Sequence, residues 1–335
     1  MARTDTLAPL DPSIIAAFEV ACAHVGTRAT DRLAGAHDAS HYLLTPQAVA
    51  IAADVAEVSR LLAASRAQRV PVTFRSGGTS LSGQAGTDGV LIDTRRNFRR
   101  IDVLDGGALV RTQPGATVRA VNARLVRHGR KLGPDPASEI ACTIGGVVAN
   151  NSSGMSCGTH ANTYRTLESA VLVLPSGTVL DTGAEDAAEV LAAREPEIHE
   201  GLLRLRDRVR ADPESVATLR RLHAIKNTMG YGLNSFLDHD DPVKILEHLV
   251  IGSEGTLAFV AEATFRTLPI LPAMATGLLL FGSIADATAS LTTLIEAGFA
   301  TIELMDAASL RVAQQDPEAT DELRALDVAD HAALL

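Results

Sequence analysis

The run Val70-Pro-Val-Thr-Phe-Arg-Ser-Gly-Gly-Thr-Ser-Leu-Ser-Gly83 decides how this chain is read. Its first half is β-branched and aromatic, the composition of a strand, and it stops in a turn of glycines and hydroxyls. A glycine turn directly after a strand presents several backbone N–H groups together, which cradles an anion, and the Ser and Thr hydroxyls add donors. The same composition fits an ordinary surface turn, so spacing has to narrow it. There is no GK[ST] and no GxGxxG followed by an acidic residue, which removes the Walker loop and the Rossmann fingerprint. His199-Glu200 does not extend to HExxH, against a zinc protease.

Working outward, AVAIA (48–52) has the pattern of a strand, and residues 54–68 that of an amphipathic helix opened by Asp54. With VPVTFR they predict a βαβ unit. Downstream, VLIDT, RIDVL and ALVRT read as short strands, and TVRAVNARLVRHG as a helix stopped by Gly129. SAVLVLPSGTVLD reads as two strands around Pro175-Ser-Gly177, and residues 184–224 as charged helices with a solvated face. The segment ending at Pro269 reads as helix, glycine-bracketed turn and strand, after which a new unit begins. Upstream, Asp11 and Pro12 open a helix that reads as an N-terminal extension.

Two further tracts share the small, polar, glycine-rich character of the first. One runs from Gly133-Pro-Asp-Pro-Ala-Ser138 through Thr143-Ile-Gly-Gly146 to Asn150-Asn-Ser-Ser-Gly154, and the other is Gly252-Ser-Glu-Gly-Thr256. Small residues let a flat ligand lie against the backbone, although an irregular loop capping its own neighbours would have the same composition.

Composition bounds the classes. A chain of 335 residues with 46% hydrophobic content can bury a core and predicts about two units. Aromatics are only 3%, without Trp, and the net charge is −10, which together disfavour base-stacking platforms and phosphate-backbone footprints, hence nucleic acid. Cys22, Cys142 and Cys157 are too far apart for a disulfide framework or a metal ligand set. The start MARTDTLAPLDPS is no signal peptide, and no apolar run reaches the roughly 20 residues of a membrane span. A cytoplasmic protein, or one peripheral to a membrane, is expected.

The three tracts, in this order, resemble the PCMH-type FAD-binding domain of the vanillyl-alcohol-oxidase family, and within it the flavin dehydrogenases for D-2-hydroxy acids such as D-lactate, glycolate and D-2-hydroxyglutarate. VPVTFRSGGTSLSG is similar to that family's pyrophosphate loop, DPASEIACTIGGVVANNSSGM (135–155) to its flavin-ring and ribityl segment, and IGSEGTLAFVAEATFRTLP (251–269) to its closing strand. ELMDAASL (303–310) is similar to the opening of the cap, or substrate, domain, and residues 150–169 resemble large proteins that carry an iron–sulfur part after the flavin unit.

The resemblance implies an α+β fold: an N-terminal helical extension (1–44), a two-subdomain FAD-binding domain (45–269), and a partial cap (270–335) that reads as truncated. It implies an FAD-dependent dehydrogenase passing a hydride from a D-2-hydroxy acid to flavin N5. An oxidase or reductase of the same fold with another substrate, or a catalytically silent FAD-binding fragment, stays open beside it. The cofactor residues it implies are Arg75, Ser76, Gly77, Gly78, Thr79, Ser80, Leu81 and Ser82 in the first tract. In the second they are Pro134, Ser138, Thr143, Gly145, Gly146, Asn150, Ser153 and Gly154, and in the third Glu254 and Gly255.

Thr79 and Ser80 stand near the position where many relatives attach FAD through a His, which implies non-covalent FAD. The family's substrate-clamping Arg residues and its His/Glu metal and base cluster lie in the cap past ELMD. No catalytic residue or metal ligand is therefore named, and an iron–sulfur cluster belongs only to a further C-terminal part, if to any. The expected partner is a small hydroxy acid, with the electron acceptor unassigned. From the residues alone, Arg75 serves equally as a strand-end ion pair or a pyrophosphate contact. His160 reads as loop-stabilising, and Cys142 and Cys157 as packed thiols.

Overall fold

The computed structural model describes residues 10–335, which divide into two units, up to Ile270 and from Leu271. The first unit opens with helix α1 (Pro12–Ala21), where the Asp11 carboxylate accepts the Ser13 N–H and Pro12 fills a first-turn position that needs no donor. Strand β1 (Val25–Gly26), helix α2 (Ala29–Ala34), strand β2 (Ala48–Ile51), helix α3 (Val55–Gln68), and strands β3 (Val72–Arg75) and β4 (Val90–Asp93) follow. Asp54 caps α3 on the Glu57 N–H, as its place before the apolar periodicity predicts. The sheet order is β1-β2-β4-β3, with β4 inserted parallel between the two strands of the βαβ unit and β1 antiparallel at the edge.

The expected N-terminal extension needs correcting. From Leu10 onward the segment is built into this lobe: β1 pairs with β2, and Phe18, Ala21 and Cys22 are buried in one core with Ala48, Val58, Leu61 and Ile92. A ten-residue helix with an apolar face must bury it somewhere, and α3 supplies the surface.

The second lobe continues with β5 (Ile101–Leu104), β6 (Leu109–Thr112), α4 (Val118–Leu125), β7 (Arg130–Lys131), α5 (Ile144–Ala149) and α6 (Thr163–Thr166). The hairpin β8 (Leu167–Val173) and β9 (Val179–Asp181) turns on Gly177 at φ +92°, a backbone conformation open to glycine. After it come α7 (Ala187–Arg194), α8 (Pro196–Ala211), α9 (Pro213–His223), α10 (Ser235–Asp238), α11 (Pro242–Val250), β10 (Phe259–Arg266) and β11 (Leu268–Pro269).

Strands β5-β6-β10-β8-β9 form an antiparallel sheet. Strand alternation sorts its faces: Ala170 and Leu172 join the helices α4, α5, α7 and α11 in one core, while Val171 and Val173 turn to the first lobe. A register shift between Val260 and Glu262 changes the phase of β10, so Phe259 and Ala261 face the first lobe, and Ala263 and Phe265 face the helices. Phe259 stacks on Phe74 of β3 (4.6 Å between centroids) and meets Phe98 edge-on (5.5 Å), so one side chain joins both lobes.

The second unit is a sheet of order β12 (Leu279–Phe281), β14 (Ala332–Leu334), β13 (Leu304–Met305), with α12 (Ile284–Glu296), α13 (Ala307–Ala313) and α14 (Asp321–Ala325). Its small core holds Ala287, Ala332 and Leu334. Among the described residues, no helix is long and apolar enough to cross a membrane.

Candidate functional site

Between the two lobes of the first unit lies a cavity of about 620 Å³, within the range of small-molecule and cofactor sites. Its lining comes from all three glycine-rich tracts: residues 76–80 of the first, Ser138, Thr143, Gly145, Gly146, Asn150 and Ser153 of the second, and Glu254 and Gly255 of the third.

The tracts are stitched together by their own polar groups. Gly77 N–H donates to Thr143 Oγ1 (2.9 Å), Thr143 Oγ1 donates to Ser76 Oγ, and Ser76 Oγ donates to the Pro114 carbonyl (2.8 Å). A Cβ on Gly77 would lie 2.8 Å from the Ala141 carbonyl oxygen, so the first and second tracts touch backbone to backbone there. The third tract hangs on α5 through Gly252 N–H to Val148 O (3.0 Å) and Glu254 N–H to Ala149 O (2.8 Å). The second closes on itself: Asp135 accepts the N–H groups of Gly154 and Ser156. A Cβ on Gly154 would overlap the Asp135 carbonyl, at 1.8 Å.

The first tract keeps the cradle that its composition suggests. Gly78 turns at φ +67°, and the N–H groups of Gly78, Thr79 and Ser80 meet no hydrogen-bond acceptor among the described residues. Gly146 and Gly255 have open space where a Cβ would stand. The lining carries no Lys, Arg or His, and its titratable side chains are Cys142 and Glu254. Burial pushes the Cys142 thiol up. Burial also raises Glu254, a rise that a hydrogen bond from Gln84 partly opposes.

Several residues named from sequence sit elsewhere. Arg75 is buried, and its guanidinium donates to the carbonyls of Gly35, His37 and Ala85 at 2.6–3.0 Å; it fixes the base of the first tract and does not reach the cavity. Leu81, Ser82, Pro134 and Gly154 also lie outside the lining. His160 is exposed, its ring beside the Thr159 hydroxyl. Gly154-Met-Ser-Cys-Gly158 spells GxSxG, but Ser156 is exposed on irregular chain with no strand before it, so there is no nucleophile elbow.

Sequence reasoning missed Gln84, Phe74, Phe259, Pro114 and Thr228 in the lining. Gln84 stands one residue past the quoted motif. The two phenylalanines carry the signal of core strand residues and serve as core and cavity wall together.

Residues 46–183 match the family described as an FAD binding domain. That stretch of the chain is similar to FAD binding domains. Its hydroxyl-rich, cation-free lining and free N–H cradle suit a large polar cofactor whose charge is met by backbone dipoles. The D-2-hydroxyglutarate dehydrogenase of Haemophilus influenzae is 27% identical across 89% of this chain, and that of Pseudomonas putida 29% across 84%. The Escherichia coli glycolate oxidase subunit GlcD is 27% identical across 82%. The chain spans 30%, 28% and 46% of those three proteins, respectively. A solved alkyldihydroxyacetonephosphate synthase superposes with a TM-score of 0.67 over 97% of this chain and 56% of its own, at 17% identity, a likeness of fold.

Proposed function

We propose that this chain is the flavin-holding part of an FAD-dependent dehydrogenase that oxidises a D-2-hydroxy acid such as D-lactate or D-2-hydroxyglutarate. The observation that carries the proposal is the convergence of three sequence-distant glycine-rich tracts on one cavity, the first two of them within the stretch that matches an FAD binding domain. The names of the relatives supply the substrate class. When bound, FAD would supply the two-electron redox chemistry of hydroxy-acid oxidation. The chain's own part is binding and orientation. The N–H groups of Gly78, Thr79 and Ser80 would hold the diphosphate, residues 138–153 would hold the ribityl chain and ring, and the Phe74–Phe259 pair closes the inner wall against water.

Attachment is non-covalent: the lining has no His, and Cys142 is a buried thiol that burial keeps protonated. Residues 45–269, with the segment from Leu10 packed into the same lobe, are assigned to the flavin domain, and residues 270–335 to the opening of a cap. The purified chain should take up FAD with the visible absorption of an oxidised flavin, and acid precipitation should release the chromophore into the supernatant. Flavin that stays with the pellet refutes the non-covalent assignment, and a chain that takes up no FAD refutes the whole proposal. Where the residues that follow in its longer relatives are also present, anaerobic D-2-hydroxyglutarate or D-lactate should bleach the flavin. L-isomers should not.

A further inference from the structure

Glu254 is the one carboxyl in the cavity lining, and its surroundings are unusual for an anion. No Lys, Arg or His lines the cavity with it. Its neighbour is Gln84, whose Oε1 accepts the Ser80 hydroxyl, which turns the amide N–H toward the Glu254 carboxyl. The Lys226 ammonium carries a charge but stands outside the lining. Cys142 is a buried thiol, the Tyr231 hydroxyl is bonded to Thr256 Oγ1 at 2.7 Å, and Lys226 Nζ donates to the Gly154 carbonyl at 2.9 Å.

The backbone at Glu254 is held at φ +52° between Gly252 at +80° and Gly255 at +76°. A left-handed non-glycine residue costs about 1–3 kcal/mol and persists where surrounding structure enforces it, commonly at ligand sites. Here the turn is fixed by the Glu254 N–H to Ala149 O bond, and it points the side chain into the cavity.

We propose that Glu254 enters the cofactor complex as the neutral acid and donates a hydrogen bond to FAD, so that cofactor uptake carries a proton. The inference rests on the flavin-site proposal above. With no cation in the lining, an ionised Glu254 would share a desolvated cavity with a diphosphate of the same sign, which disfavours the charged form. One carboxyl oxygen accepts from Gln84. The other, once protonated, becomes a donor in a site whose other donors are backbone N–H groups and hydroxyls. Burial of the free carboxyl already moves it in this direction.

The test is an FAD titration of the apo chain, followed by flavin fluorescence, from about pH 5 to 9, a range in which the diphosphate stays ionised. Wild type should bind more weakly as pH rises, approaching about tenfold in Kd per pH unit for one coupled proton. Glu254→Gln, which keeps a donor and the shape, should hold the low-pH affinity throughout. Calorimetry of wild type in two buffers of different ionisation heat should show proton uptake approaching one per FAD, and this measurement stands even if the variant fails to fold. Tight binding with a flat pH profile, no proton uptake, or an identical slope in Glu254→Gln overturns the inference and leaves the flavin site intact. Absence of FAD binding by wild type at every pH overturns both.

Discussion

Gly146 offers the sharpest separation of fold from ligand. It sits in the first turn of α5, it lines the cavity, and an added Cβ would meet nothing within 4 Å. Alanine in place of glycine in a helix is worth about 0.5–1 kcal/mol through lower chain entropy, so Gly146→Ala should raise the stability of the FAD-free protein. The methyl group would stand in space assigned to the cofactor. Overpacking by such a group costs about 1–3 kcal/mol, which at about 1.4 kcal/mol per tenfold is roughly 5- to 150-fold in Kd. The two effects have opposite signs. Scanning calorimetry of the apo protein should show a higher melting temperature, and a fluorescence titration should show weaker FAD binding. Gly145→Ala is the control, because its Cβ would lie 2.6 Å from the Pro114 Cβ, and it should lower the melting temperature. A more stable Gly146→Ala with unchanged FAD affinity would mean that the cofactor does not lie along α5, and the assignment of the second tract would fall.

Other outcomes follow from the same geometry. Thr143→Val removes the hydroxyl that joins Gly77 and Ser76 while nearly keeping the volume; it should cost about 1–3 kcal/mol in urea unfolding by leaving the Gly77 N–H without its acceptor, and Thr143→Ser should recover most of that. Gly77→Ala should be destabilising whether or not FAD is present, because the clash is with the Ala141 backbone. Glu247 and His248 set opposing pH dependences. Burial raises Glu247 from 4.5 to about 7, so the folded state holds the extra proton and stability falls as pH rises through that window. Burial lowers His248 from 6.5 to about 4, so stability rises with pH between those values. The two nearly cancel in wild type. Glu247→Gln should therefore expose a rise of about 1.4 kcal/mol per pH unit between about pH 4.5 and 6.5 in denaturant titrations, and a profile parallel to wild type would contradict the linkage.

The elements whose cues are local could be read from the sequence. Asp54 with its helix, Gly129 as a helix stop, and the Pro175–Gly177 turn all stand where their own chemistry places them. The short helix α5 escaped, because six residues with two glycines carry no period and an intervening polar tract masks its ends. What defeats a linear reading is long sequence separation. The role of Arg75 depends on carbonyls at Gly35 and His37, and Ser76 is engaged by Thr143, partners that only the folded chain brings within reach. The three tracts could be named individually, and their ligand through resemblance. The side of each tract that faces inward, and the place of Gln84 beside Glu254, depend on how the lobes pack.

The double duty of Phe259 bears on how the protein is made. The strands of the first lobe are complete by Asp93, yet that lobe's core needs Phe259 and Ala261, near the end of the first unit. At ribosomal rates of about 5–20 residues per second, the gap amounts to a delay on the order of ten seconds. Throughout it, Phe74 and Phe98 emerge from the ribosome without the ring that later packs against them. The nascent first lobe is thus an open half-core until β10 arrives to close it.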